Sequence, residues 1–345
     1  MEISSSVDVK KADLERSTDE RSSANQWVIR THRPEDAAAW KAFLRDSNNG
    51  TLFHDLDFLA YHRPGKYNFH HLLAFRGARI EAVIPGALSA DGIFVSTAGA
   101  SIGGPAVNRS LPAEECMHLV EALQLYCNSA GWRGIEITLP PPIYSDEPDQ
   151  IIEFALHVRG FQLVHRSMPL LIPLDYEKSN HYERIFRERQ RRYVRACRRK
   201  GVAVTESGID ALGGFLELLE ETHARLKALP THTPDEIRSL FDRVPDHLRI
   251  WSAHLDGIVI ASLLLFILNR NVCVTFYLCD RASHRANHGA TVLLAEVIDA
   301  LGKRGYRYLD MGPSASTTNF NQGVVGFKES LGARVFCRDR WRWQN

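Results

Sequence analysis

The apolar positions of this chain change period in a fixed order, and that order occurs twice. In the second half, Val202-Ala203-Val204-Thr205 reads as a strand, Asp210 to Leu229 as a helix, and Thr233-Pro234-Asp235-Glu236 as the start of another helix. There Thr is the N-cap and Pro occupies the first turn. Three apolar runs follow, 248–255, 258–268 and 272–279, separated by Asp256-Gly257 and Asn269-Arg270-Asn271. Such separators join antiparallel strands in hairpins. A helix over 290–303, a strand over 306–311, a short helix around 324–331 and a strand near 334–338 complete this half.

The first half parses the same way. A strand is predicted over 27–31, a helix from Pro34 to about Arg45, and a short helix over 56–62. A meander over 71–75, 79–88 and 93–97 follows, with Arg76-Gly77 as one turn. Cys116, Leu119, Val120, Leu123 and Cys127 repeat at helical spacing after Ser110-Leu111-Pro112, and Gly131 supplies the stop. A strand over 134–139, a helix over 149–159 and a strand over 162–172 close the copy. The expectation is an α/β (α+β) protein of two tandem domains, 26–172 and 173–345. Each is a mixed, mostly antiparallel sheet flanked by helices.

Composition fits that size. The chain has 345 residues, 44% hydrophobic and 24% charged, with a net charge of +1. This suffices for two cores and gives no broad field toward nucleic acid or membrane. Residues 1–25 are polar and aperiodic, so a disordered leader is expected there. It has no apolar signal core, and the longest apolar run, 258–268, is far below the roughly 20 residues of a membrane span. The six cysteines form no CxxC pair, so buried free thiols and a cytoplasmic location are expected. His284 and His288 lack a third neighbouring ligand, so no metal is expected.

Between the halves, Arg184 to Gly201 carries nine basic residues against one acid, Glu188. Self-repulsion on that scale favours an anionic neighbour such as a phosphate or carboxylate.

Four stretches then carry a resemblance. Arg191 to Val202 is similar to an arginine-rich helix running into "KAxKxGV". Asn287 to Gly312 resembles a helix followed by "YxxxDFG", with Met311 in place of Phe. Gly326 to Gly332 resembles "FKxxFG", with Leu331 in place of the second Phe. Ser96 to Pro105 resembles a Ser- and Gly-rich loop. Together they resemble the Fem family of peptidyltransferases and the FemAB-like acyltransferases of the GNAT superfamily, over about residues 27–345. The resemblance implies two tandem GNAT-like domains around a cleft. It implies transfer of an acyl or aminoacyl group to an amine, such as a cell-envelope or polysaccharide precursor.

That reaction needs a neutral amine, a held carbonyl and a stabilised oxyanion. Asp310, at a strand end, is the candidate to bind or deprotonate the amine. Lys328 is the candidate for a donor phosphate or the oxyanion. Arg285, Asn287, Gly289 and Ala290 precede or open the helix expected to cradle pyrophosphate, with His288 near the place of the family's first glycine; Phe327 accompanies Lys328. Ser101, Gly103, Gly104, Arg191, Arg192 and Arg195 are the expected substrate contacts. Acyl-CoA is the expected donor, because Gly289-Ala290 opens the helix; aminoacyl-tRNA is the alternative.

Two further readings stay open. Gly99-Ala100-Ser101-Ile102-Gly103 spells GxSxG, the nucleophile elbow of a serine hydrolase, which requires a helix directly after the serine. The other is a GNAT-like binding module without chemistry.

Overall fold

The computed structural model describes residues 26–96, 98–174, 180–227, 230–316 and 319–345. The expected leader lies outside the described residues. The strands in the first half are β1 (Trp27–Thr31), β2 (Leu72–Arg76), β3 (Arg79–Ile84), β4 (Ala87–Leu88), β5 (Ile93–Ser96), β6 (Ala106–Val107), β7 (Gly134–Thr138) and β8 (Gln162–Pro173). The rest are β9 (Ala203–Ser207), β10 (Leu248–Leu255), β11 (Ile258–Ile267), β12 (Val272–Asp280), β13 (Tyr308–Ser316), β14 (Asn319–Phe320), β15 (Arg334–Val335) and β16 (Arg338–Gln344). The helices are α1 (Ala37–Asp46), α2 (Leu56–Leu59), α3 (Ala113–Ser129), α4 (Ile151–Val158), α5 (Tyr182–Ile185), α6 (Glu188–Arg199), α7 (Leu212–Leu226), α8 (Pro234–Arg243), α9 (Gly289–Lys303) and α10 (Gln322–Ser330).

Local chemistry explains most of these elements. The five apolar residues of the 116–127 repeat are the buried face of α3. Thr233 and Glu236 form a reciprocal capping box at α8. The run over β11 is buried from Ile260 to Phe266, the pattern of a strand covered on both faces.

Several predicted elements change; the last strand, expected near 334–338, is a two-residue β15 followed by a separate β16 that begins at Arg338. The strand expected over 79–88 breaks at Pro85-Gly86, and its pieces β3 and β4 enter different sheets. Proline cannot donate to a ladder, and a Cβ on Gly86 would lie 2.3 Å from the Phe94 ring. The arginine-rich helix begins as two pieces, because Phe186 and Arg187 are extended (ψ 141° and 152°) and Phe186 is buried beside Tyr182.

The strands form a small sheet, β1-β2-β3-β6, and a large one, β4-β5-β7-β16-β8-β13-β12-β11-β10-β9. Along the large sheet only β5/β7 and β12/β13 are parallel. The halves share this sheet. The end of β8 pairs with β13 through Leu171↔Asp310 and Ile172↔Leu309, while its start pairs with β16 through Ser167↔Arg338 and His165↔Arg340. β16 also pairs with β7. The last strand of the chain therefore completes the sheet of the first half.

Removing β16 by ending the chain after Cys337 should leave β7 and β8 without the strand between them and expose the apolar surface under Trp341 and Trp343. The expected result is loss of the native thermal transition by circular dichroism. A truncated chain with an unchanged melting temperature would show that the strand is dispensable.

Candidate active site

Parallel strands β12 and β13 pair at Val272↔Tyr308, Cys273↔Leu309 and Val274↔Asp310, and no further. Beyond that point they part. Phe276 is the extra residue of a bulge on β12, since Leu264 pairs with Tyr277 and Leu265 with Thr275; bulges re-aim the chain near functional sites. On the other arm, Asp310 to Pro313 and Pro313 to Ser316 interrupt the ladder with β8. The result is a wedge opening at Asp310, with α9 starting after β12.

Asp310 is 3% exposed. Its Oδ1 accepts from the Gly312 N–H at 2.6 Å, and its Oδ2 accepts from the Tyr144 hydroxyl. Burial pushes the carboxyl above its usual range, while these two donors, Arg338 and Lys328 oppose the shift. Lys328 is also buried, and its ammonium donates to the Gly312 carbonyl at 2.8 Å. Burial pulls it down to about 8, with Asp310 acting against that. Asp310 and Lys328 thus converge on Gly312, which stands at φ +74°, a conformation glycine adopts without strain. Phe327 packs against the core beside them.

The start of α9 has no acid in its first turn. Gly289 is required by packing, since a Cβ would fall 2.9 Å from Ile260. Helix α6 lies against this start: Tyr193 stacks on His288 at 3.5 Å, the Cys197 thiol donates to the Asn287 carbonyl, and Lys200 donates to the Asn287 side chain at 2.8 Å. Burial first, then Arg189 and Lys200, hold His288 below its ordinary pKa. Arg285 instead pairs with Asp280. Among the other expected contacts, Arg191 and Arg195 bind Glu183 and Glu188, so the protein itself neutralises much of this helix. Arg192 is exposed.

The first half contains the matching wedge, where β5 and β7 pair from Ile93↔Gly134 to Ser96↔Ile137. There the chain fills the opening. Gly103 donates to the Thr138 carbonyl, and Gly104 donates to Ser96 Oγ at 2.8 Å. A Cβ on Gly103 would sit 2.3 Å from the Ser96 carbonyl. Its helix, α3, starts with Glu114 and Glu115, which oppose an anion where α9 does not. Ser101 is exposed, and the chain after it runs to β6 rather than into a helix. The GxSxG sequence is therefore no nucleophile elbow.

Ser101 borders two cavities. One is a polar cleft of about 430 Å³ lined by residues including Ser167, Ser314 and Arg338. The other, of about 300 Å³, is walled by Phe53, Phe58, Tyr61, Tyr67 and Phe276. In the second, His232 links Tyr61 at 2.5 Å to Tyr277 at 3.0 Å, and burial pulls its pKa to about 4. Sequence reasoning missed Tyr144, His232 and Arg338. No local pattern marks the first two; the alternation Arg338-Asp339-Arg340-Trp341-Arg342-Trp343 marks the third as a strand residue.

The five interior cysteines are buried and Cys337 is exposed. Among the described residues no three His, Cys, Asp or Glu side chains cluster as a metal site, and no helix is long and apolar enough to cross a membrane.

The buried lysine has a measurable signature. Unfolded, it keeps its proton to about 10.5, whereas folded it releases it near 8. The unfolded state binds more protons in that window, so wild-type stability should rise with pH there relative to Lys328→Met. The gain should reach up to about 3 kcal/mol by urea unfolding. Parallel pH profiles for the two proteins would show that the ammonium is not desolvated.

Comparison with curated proteins finds no match. Residues 185–322 match the family model described as acetyltransferase (GNAT) domain. Among solved structures, FemX superposes with a TM-score of 0.72 at 13% identity, covering 92% of this chain and 97% of that one. L-PGS from Bacillus licheniformis gives 0.58 at 12%, covering 91% and 93%. A tandem GNAT protein from the clavulanic acid biosynthesis pathway gives 0.51 at 11%, covering 92% and 98%. Residues 185–322 are thus similar to the acetyltransferase (GNAT) domain, within a chain that shares the fold of FemX and of the tandem GNAT protein.

Proposed function

We propose that this protein is an N-acyltransferase that moves an acyl group from acyl-CoA to an amine. The observation that carries the reading is the wedge between β12 and β13 with the acid-free start of α9 beside it. An extended thioester arm fits between parting strands, where backbone groups lack ladder partners. Its pyrophosphate suits the helix start, near Arg189 and Lys200. In this reading residues 173–345 hold the donor, and residues of both halves, Ser101, Thr138 and Ser167 with Ser314 and Arg338 among them, wall the acceptor cleft.

Asp310 receives a proton from the acceptor's ammonium; a carboxyl with a raised pKa suits that task. The amine nitrogen then attacks the thioester carbonyl, and the C–N bond forms. Lys328 and nearby backbone donors offset charge on the oxyanion. As the carbonyl re-forms, the C–S bond breaks, and the nitrogen's second proton ends on the sulfur. The products are an amide and free CoA. No serine nucleophile is involved.

The alternative donor is aminoacyl-tRNA, as in the Fem resemblance. The exposed Arg192 and Arg199 of α6 favour it, because a basic helix edge suits a phosphate backbone.

A thermal-shift comparison of acetyl-CoA, longer acyl-CoAs and charged tRNA separates these donors. Ligand at 100 times its dissociation constant stabilises by about 2.7 kcal/mol; a response to charged tRNA alone would replace the CoA reading. With a working donor, Asp310→Asn should lower kcat by roughly 10²–10⁴ while the fold persists. Ser101→Ala should stay within about tenfold of wild type. Fluorophosphonate labelling of Ser101 would point to hydrolase chemistry instead.

A further inference from the structure

The middle of the large sheet is polar where a buried sheet is ordinarily apolar. Strands β13, β8, β16 and β7 lie side by side there. Their cross-strand rows read Ser316↔Ser167↔Arg338 and His165↔Arg340↔Thr138. All six residues line the same cleft. On the other face of β16, Trp341 and Trp343 pack against the core. The period of two along β16 thus puts tryptophan inward and arginine into the cleft. These are central strands, so the exposed polarity is not an edge effect.

Among the described residues the lining of this cleft holds two arginines, Arg338 and Arg340, and no aspartate or glutamate. Arg340 is neutralised from the side by Glu136, which also binds Arg342. Among the described residues Arg338 has no carboxylate partner: its Nε donates to Ser167 Oγ at 3.2 Å. The carboxylate that feels its charge is Asp310, whose oxygens are already held by Gly312 and Tyr144. Beside it, Ser314 Oγ is buried without a hydrogen-bond partner. A guanidinium without a carboxylate and an unpaired hydroxyl, in one cleft, are complementary to an anionic oxygen group.

From this we infer that the amine acceptor carries an anionic group, a phosphate or carboxylate, which Arg338 and the serines of the cleft bind while the amine lies at the wedge. This rests on the acyltransfer reading and specifies its acceptor. The cleft volume of about 430 Å³ is in the range of small-molecule sites, about 300–1,000 Å³. Because Ser101 borders the aromatic cavity as well, an acceptor can place its apolar part there without leaving the cleft.

Binding of matched amines, measured by calorimetry without donor, tests this. Glucosamine 6-phosphate against glucosamine probes phosphate, and lysine against cadaverine probes carboxylate. At least one member carrying the anion should bind about tenfold or more tighter than its counterpart that lacks it. The pair that discriminates identifies the anion. In Arg338→Gln the preference should fall to within about twofold, and in Arg338→Lys part of it should remain, with the acetyl-CoA thermal shift unchanged in both. No preference in either pair, no binding of either anionic amine at millimolar concentration, or a preference that survives Arg338→Gln would overturn the inference. The two proposals fail separately. Anion preference without acyl transfer would sink the reaction and keep the site; acyl transfer to amines without anion preference would do the reverse.

Discussion

The ladder between β8 and β16 is the interaction on which the rest of the structure depends. β16 is the last strand of the chain, yet it lies between β7 and β8 of the first half. β8 then carries the sheet onward to β13. One continuous set of backbone hydrogen bonds thus fixes the register of the first half against the strand that bears Asp310. A one-residue slip in either ladder would turn Arg338 and Ser167 toward the core and the tryptophans into the cleft. The position of the polar floor relative to the β12/β13 wedge is therefore a consequence of strand pairing, not of loop conformation.

The two halves each contain one parallel strand pair that opens into a wedge, and they treat the opening differently. In the second half the strands part and the opening is bordered by a helix start without acid. In the first half Gly103 and Gly104 occupy the opening, tied to Thr138 and Ser96, and the helix starts with Glu114 and Glu115. The same topology therefore offers an anion-compatible wedge once. Electrostatics in the β12/β13 wedge are set by burial. Asp310 and Lys328 share the carbonyl and amide of Gly312 without bulk water, so each is displaced toward its neutral form, the carboxyl upward and the amine downward. Proton transfer at neutral pH becomes easier for both.

Most of the element order, both hairpins of the second half, the buried face of α3 and the box at α8 were legible in the amino-acid sequence, because each depends on spacing and caps within a few residues; β6, β14 and the length of β16 were not. So were Asp310 and Lys328 as a pair, through the motifs around them. The long strand over 79–88 was misread because its apolar pattern continues through Pro85-Gly86, where the missing proline N–H and the Phe94 ring packed on Gly86 separate the pieces. The basic helix read as an unneutralised charge run, since Glu183 and Glu296, which bind Arg195 and Arg198, lie outside it in sequence.

The sequence by itself determined the secondary structure, its twofold repetition and the chemistry available at the end of β13, since these rest on local periodicity and residue type. Only the tertiary structure decided which groups meet that chemistry. Tyr144 reaches Asp310 across 166 positions and Arg338 reaches Ser167 across 171. Contacts at such separation leave no periodic trace in the chain. They exist because both halves contribute strands to one large sheet, and hydrogen-bonded strand register brings distant segments to adjacent rows.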